Sequence, residues 1–431
     1  MTKRDYGFNI IFAFTLPILS LVRGLMSKST EYKHSLLTLL AGIYGSTIVL
    51  STSDGAVHLA KVSGYYADLT FKQFTFEIYE IITLQGTVGG AADLYKHFLS
   101  YLCGSVLEMP FLFFPIVGLV YGYFFTGSML IVFKYFNRSK KSILLWSIAF
   151  IFILLKNVEG ANTVRTWTGL WILVYACLNY YETKKIKYLI LMFVPPYVHF
   201  SYFIMALPAY LVLVFGNWEK VFFSVYILSF LFSFLTPNVQ DVTDTLSQTE
   251  IGANSAKGYL VEEQSSLNDN LERAQSSGSN WYKAYTKARI AKYADFLIII
   301  LIFFTGTYTK NMNKVEASLF STGLLTLTLS NVSWFYFALQ NRTAVVGVVF
   351  IFAALLLTWQ NPNRQTDTMF FKSKLVSFAL SISLILYIPS LVLKISMLLG
   401  FISFFFLITP FITWIVPEVN MSIIEFIKWL I

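Results

Sequence analysis

Four residues could do chemistry and are flanked by long apolar runs. Arg165 precedes TWTGLWILVYACLNYY, and His199 follows the break at Pro195-Pro196 with Ser201 close behind. Arg342 sits in FALQNRTAVVGVVF, and Asp54 sits in STSDGAVHLAKV. An ionisable group in such surroundings is costly and by default marks a site or pathway. Arginine stays charged and offers a planar fork of donors that matches phosphate oxygens. Two arginines at a membrane–water boundary can clamp a phospholipid-like head group whose tail stays in the bilayer. A histidine beside them can accept or hold a proton near neutral pH. A carboxylate can orient a sugar hydroxyl or act as base.

Each residue also has a plainer role. An arginine near a helix end snorkels to lipid phosphates. His199 can bond a carbonyl freed by the two prolines. Asp54 can cap a turn. What favours function is all four falling on one face. A metal reading rests on Asp54 with His58 and Asp93 with His97, each pair four apart on one helix face. The two pairs are distant in sequence and form no tight motif, so acid–base or structural pairing is preferred and no metal is expected. Glycine-rich phosphate loops and nucleotide fingerprints are absent. No cofactor is therefore expected, and a nucleotide-activated donor is not supported.

The elements that must position these residues follow from composition. Of 431 residues, 56% are hydrophobic and 13% charged, against about a quarter charged in soluble domains. Many apolar runs approach bilayer length. The expected fold is all-α and polytopic, a single integral membrane domain over residues 1–431. About 12–13 spans are expected, near 7–26, 35–51, 110–133, 142–156, 165–181, 186–197, 199–215, 221–236, 294–309, 317–340, 343–359, 375–393 and 396–416. Within 186–215 the prolines predict two spans and a tight bend, or one long kinked helix plus a shorter span. The first run, Gly7 to about Leu25, lacks a small-residue cleavage site, so no cleavable signal peptide is expected. Two cysteines, Cys103 and Cys177, make no disulfide framework.

The net charge of +9 lies mostly in short loops and signals topology rather than nucleic acid. Arg23, Lys28 and Lys33 fall on one side, as do Lys134, Arg138, Lys140 and Lys141. Lys184, Lys185 and Lys187 follow, then Lys220, Lys310, Lys314, Arg364, Lys372 and Lys374. The positive-inside rule makes that side cytoplasmic, with Lys3 and Arg4 as a local exception. Asp54, Arg165, His199 and Arg342 then share the outer face. Two long segments lie there too. Residues 52–109 carry amphipathic stretches with Phe71, Phe74, Ile78 and Ile81, and with Leu94, Phe98, Tyr101 and Leu102, at helical spacing. They suit an interfacial or re-entrant segment. Residues 238–292 form a polar loop of a length that is usually functional or disordered.

The stretch NTVRTWTGLWILVYACLNYYETKKIKYLILMFVPPYVHFSYFIMALPAYLVLVF resembles the central segment of EpsG/Wzy-type polysaccharide (O-antigen) polymerases. Arg165 at a span start, the basic turn Lys184-Lys185, and His199 with Ser201 opening the next outer segment match that family's order. TIVLSTSDGAVHLAKVSGYY is similar to its aspartate after the second span, and FALQNRTAVVGVVF to its late outer-face arginine. The layout matches over most of residues 35–360, with 162–202 the more specific part. Trp167 and Trp171 depart from the family's more aliphatic helix. The resemblance implies a helical fold like that of C-type glycosyltransferases in a bacterial inner (cytoplasmic) membrane, active outside. It implies transfer of a growing glycan from undecaprenyl diphosphate to a lipid-linked acceptor. Arg165 and Arg342 would bind diphosphate, and His199 or Asp54 would act at the acceptor hydroxyl. The expected partners are lipid-linked donor and acceptor, membrane lipid and a chain-length regulator, with no nucleic acid. A ligase with the same donor, or a flippase for lipid-linked sugars, is the alternative.

Overall fold

The computed structural model describes residues 3–50, 54–83, 85, 93–136, 143–231, 282, 290–333, 336–361 and 374–431. All named elements within them are helical, with one isolated antiparallel bridge between Ser403 and Ser422. The first expected span is broken at Pro17 into α1 (Lys3–Thr15) and α2 (Pro17–Met26). α3 (Thr30–Thr47) starts where the Ser29 hydroxyl accepts the Tyr32 amide at 3.2 Å. The segment expected on the outer face holds α4 (Asp54–Ser63), α5 (Phe71–Ile82) and α6 (Leu94–Tyr101). Both amphipathic stretches there are thus helical, with Phe74 and Ile81 buried and Phe71 exposed.

α7 (Phe113–Val132) and α8 (Ile143–Leu155) follow, and a tight 3-10 turn at Val158–Thr163 leads into α9 (Thr166–Thr183). Residues 186–215 hold four short helices: α10 (Ile186–Met192), α11 (Pro195–Val198), α12 (Tyr202–Met205) and α13 (Leu207–Phe215). Proline at the start of α11 and again of α13 suits a first helical turn but cannot donate inside a longer helix. Then come α14 (Glu219–Ser229), α15 (Ile290–Phe304), α16 (Lys314–Val332) and α17 (Phe337–Gln360). The chain closes with α18 (Lys374–Ile385), α19 (Ile388–Phe401), α20 (Phe404–Ile408), α21 (Phe411–Ile415) and α22 (Ile423–Leu430).

Three helical stretches among the described residues are long and apolar enough to cross a membrane: Pro110–Val132, Ile143–Thr163 and Ala338–Gln360. A fourth forms if α18 and α19, bent by 42° at their break, count as one. Two expected span boundaries are corrected. The gap placed at 394–395 lies inside α19, and the real break is at residues 386–387, just before Pro389. The gap placed before residue 343 lies inside α17, so Arg342 sits in its second turn rather than at its opening. In both cases a lone cation in an apolar run reads as a loop, whereas the helix continues through it with the cation half-buried. The loop expected at 238–292 lies outside the described residues, apart from Tyr282 and 290–292, as do Arg138, Lys140, Lys141, Arg364 and Lys372.

Glycines lie at two close helix crossings among the described residues. Gly45 of α3 faces the Phe114 carbonyl of α7, and Gly118 of α7 faces the Ala41 carbonyl of α3. Between α16 and α17, a Cβ on Gly347 would lie 2.7 Å from the Leu327 side chain and 3.1 Å from the Gly323 carbonyl. Small residues let backbones approach this closely in lipid, where packing rather than water expulsion holds helices together. α9 lies against α7 and is buried from Thr166 through Val174. Trp171 donates to the Tyr121 hydroxyl at 2.9 Å, and Tyr121 donates to the Asn157 carbonyl at 2.6 Å. These bonds tie α9 and α7 to the turn that carries the site.

A candidate anion-binding and acid–base site

Three segments distant in sequence meet at Asp93. The residue precedes α6, and only 2% of it is exposed. Its carboxylate accepts from Arg165 Nη1 and from the Phe200 amide, the latter at 2.6 Å. His199 Nδ1 lies 3.7 Å away, beyond hydrogen-bond range. The Ser201 amide points at that same nitrogen from 3.3 Å, so Nδ1 accepts and the neutral ring carries its proton on Nε2. His199 Nε2 and Ser201 Oγ are buried with no hydrogen-bond partner.

The turn before α9 aims Arg165. Asn157 accepts the Glu159 amide at 2.9 Å and opens the 3-10 turn. Val164 then adopts φ 59° and ψ −54°, and the Arg165 amide bonds the Thr163 carbonyl at 2.6 Å. This is a γ-turn with positive φ at a β-branched residue, a rare and strained conformation. Such strain costs about 1–3 kcal/mol and persists where the surroundings over-determine it. Val164 is fully buried, which supplies that constraint.

Further basic groups surround this centre. Lys96 of α6 is buried, and desolvation, with Arg165 and Lys61 nearby, pushes its pKa down to about 7 against the opposing pull of Asp93. Burial, with Lys96, Arg165 and Lys61, holds His58 neutral, its pKa near 3. Its Nδ1 has no hydrogen-bond partner. On the other side, Lys156 places Nζ 3.7 Å from the Trp167 ring centroid. Lys394 of α19 lies 3.9 Å from Glu159, which is 4% exposed. The Arg342 charge is felt at His199, Tyr202 and Lys156, so it links the two groups. Lys61, Lys96, Arg165, Arg342 and Lys394 thus outnumber Asp93 and Glu159, which suits a multiply charged anion.

The structure brings Arg165, His199 and Arg342 together. Asp54 is exposed in the first turn of α4, and no ion pair or hydrogen bond among the described residues joins it to them. The metal alternative gains no support: Asp93 is taken by Arg165 and Phe200, while His97 pairs with the Tyr66 hydroxyl at 3.0 Å and the Phe74 carbonyl at 3.2 Å. Among the described residues no group of three metal-ligating side chains forms. Sequence reasoning missed Asp93 as the partner of Arg165, and it missed Lys96, Lys156, Glu159 and Lys394. The signals were present: KNVEGANTVR puts Lys156 and Glu159 just ahead of Arg165, and Lys394 is a lone charge in IPSLVLKISMLLGF. The chain matches no family model, no curated protein and no solved structure.

Proposed function

We propose that the protein polymerises lipid-linked oligosaccharide repeat units, as the EpsG/Wzy-type polymerases do. It transfers a growing glycan from undecaprenyl diphosphate to the end sugar of another lipid-linked unit, on the outer side of a bacterial inner membrane. In this reading the chain crosses the membrane about 12–13 times in a C-type glycosyltransferase-like bundle, and its donor needs no nucleotide. The carrying observation is Arg165, held by buried Asp93 beside His199 and within a ring of further cations. The diphosphate leaves as an anion, and pre-aimed donors that grip developing charge lower the barrier. Arg165 and Arg342 bind the diphosphate, and Lys96 adds a cation. His199, with its proton on Nε2, donates to a phosphate oxygen.

The test is Arg165→Ala with lipid-linked glycans resolved on a gel. The expected result is loss of the polymer ladder and accumulation of single units. A ladder of normal length and yield would refute the reading.

A further inference from the structure

We infer that Glu159 is the group that takes the proton from the acceptor hydroxyl in the transfer proposed above, on which this inference rests. The transfer needs a base, and the other candidates are engaged or misplaced. His199 Nδ1 already accepts the Ser201 amide, so its free nitrogen carries a hydrogen. Asp93 gives its two oxygens to Arg165 and Phe200. Asp54 is exposed. Glu159 is different: it is 4% exposed, yet its Oε1 has no hydrogen-bond partner. Its nearest cation, Lys394, stands at 3.9 Å, too far for a good hydrogen bond. A buried carboxylate oxygen without a donor costs several kilocalories per mole. Such an arrangement is retained where a ligand supplies the missing donor.

The surroundings fit a sugar hydroxyl. Asn157 Nδ2 and the Tyr44 hydroxyl are also buried without partners. The Glu159 charge is felt at Tyr44, Tyr121 and Lys156, so these groups, with Lys394, lie near it on α3, α7, the end of α8 and α19. Trp167, which opens α9 under Lys156, adds an aromatic face. Carboxylate, amide, phenol and indole together are the usual means of holding a saccharide. The Arg342 charge is felt both at Lys156 beside Glu159 and at His199 on the diphosphate side.

In the step, the acceptor O–H bond breaks and its proton passes to Glu159. The oxygen lone pair forms the new bond to the anomeric carbon. The bond from that carbon to the diphosphate oxygen breaks, and its electron pair leaves with the diphosphate.

The experiment uses purified protein in nanodiscs with one polyprenyl-diphosphate-linked oligosaccharide, reading extension rate against pH and binding of the lipid-linked unit. Glu159→Gln is expected to slow extension by about 100-fold or more with binding changed less than about twofold, and to abolish the acid limb of the rate profile. Glu159→Asp should restore part of the rate. Lys394→Met, at a less buried position, should move the acid limb to higher pH, because a carboxylate without its cation holds its proton more tightly. Wild-type rate in Glu159→Gln, or an acid limb unmoved in Lys394→Met, overturns the assignment of Glu159 alone. A wild-type protein that binds the unit but never extends it overturns the transfer reading, and this inference with it.

Discussion

Asp93 holds a guanidinium and a backbone amide at once, so its removal strands both. Losing one member of a buried ion pair costs about 3–5 kcal/mol. Arg165 keeps 25% of its side chain exposed, which places Asp93→Ala near the low end, about 3 kcal/mol. Thermal unfolding of the purified protein, followed by size exclusion, should show that loss as a lower midpoint. Lys96 supplies a pH prediction. With its pKa depressed to about 7, it is an ammonium below that pH and increasingly a neutral amine above. An anion favours the ammonium, so binding takes up a proton and weakens as pH rises through about 7, by at most about tenfold per pH unit. Calorimetric titration with inorganic diphosphate should show that slope, and Lys96→Arg should flatten it because arginine stays charged. Arg165, His199 and Arg342 were legible because a charge in an apolar run stands out. Asp93 was not, because its partners lie 72 and 107 residues away and no local pattern marks a long-range contact.

At the scale of elements, the strained turn at Val164 and the glycine crossings do different work. The turn fixes where Arg165 points, and the crossings fix how closely the helices lie. Gly347→Leu would push a side chain toward Leu327 and the Gly323 carbonyl, and backbone cannot yield as a flexible side chain does. Overpacking of this kind costs about 1–3 kcal/mol, seen as a lower unfolding midpoint, while Gly216→Ala tests a glycine with open space around it but φ of 75°. There ψ of −156° puts the residue in a region that essentially only glycine enters, so the expected loss is of similar size, about 1–3 kcal/mol. Helix existence was readable from hydrophobic spacing, as α5, α6 and α7 show. Helix ends were not, because proline placement and half-buried lysine or arginine override a hydropathy reading, as at α11, α17 and α19. The crowding of α16 on α17 depends on two glycines whose partners cannot be read along one strand of sequence.

For the whole molecule, the three long apolar stretches among the described residues are compatible with a membrane-embedded chain, and the proposed reading puts its site on the outer face. Cys103 and Cys177 are both buried, so a single introduced cysteine reports its own side. Lys184→Cys should resist a membrane-impermeant maleimide in intact cells, and exposed Tyr79→Cys should react with it. The composition made the all-helical class readable at once. The assembly of the site was beyond it, because the site joins the α6, α9, α11, α17 and α19 regions through contacts that no single stretch encodes. The most direct measurement gives the purified protein, in proteoliposomes, a single polyprenyl-diphosphate-linked oligosaccharide with no other acceptor. The account predicts a ladder of products longer by whole repeat units, with release of the lipid diphosphate. Units that stay single, whether left in place or moved across the bilayer unchanged, would contradict it.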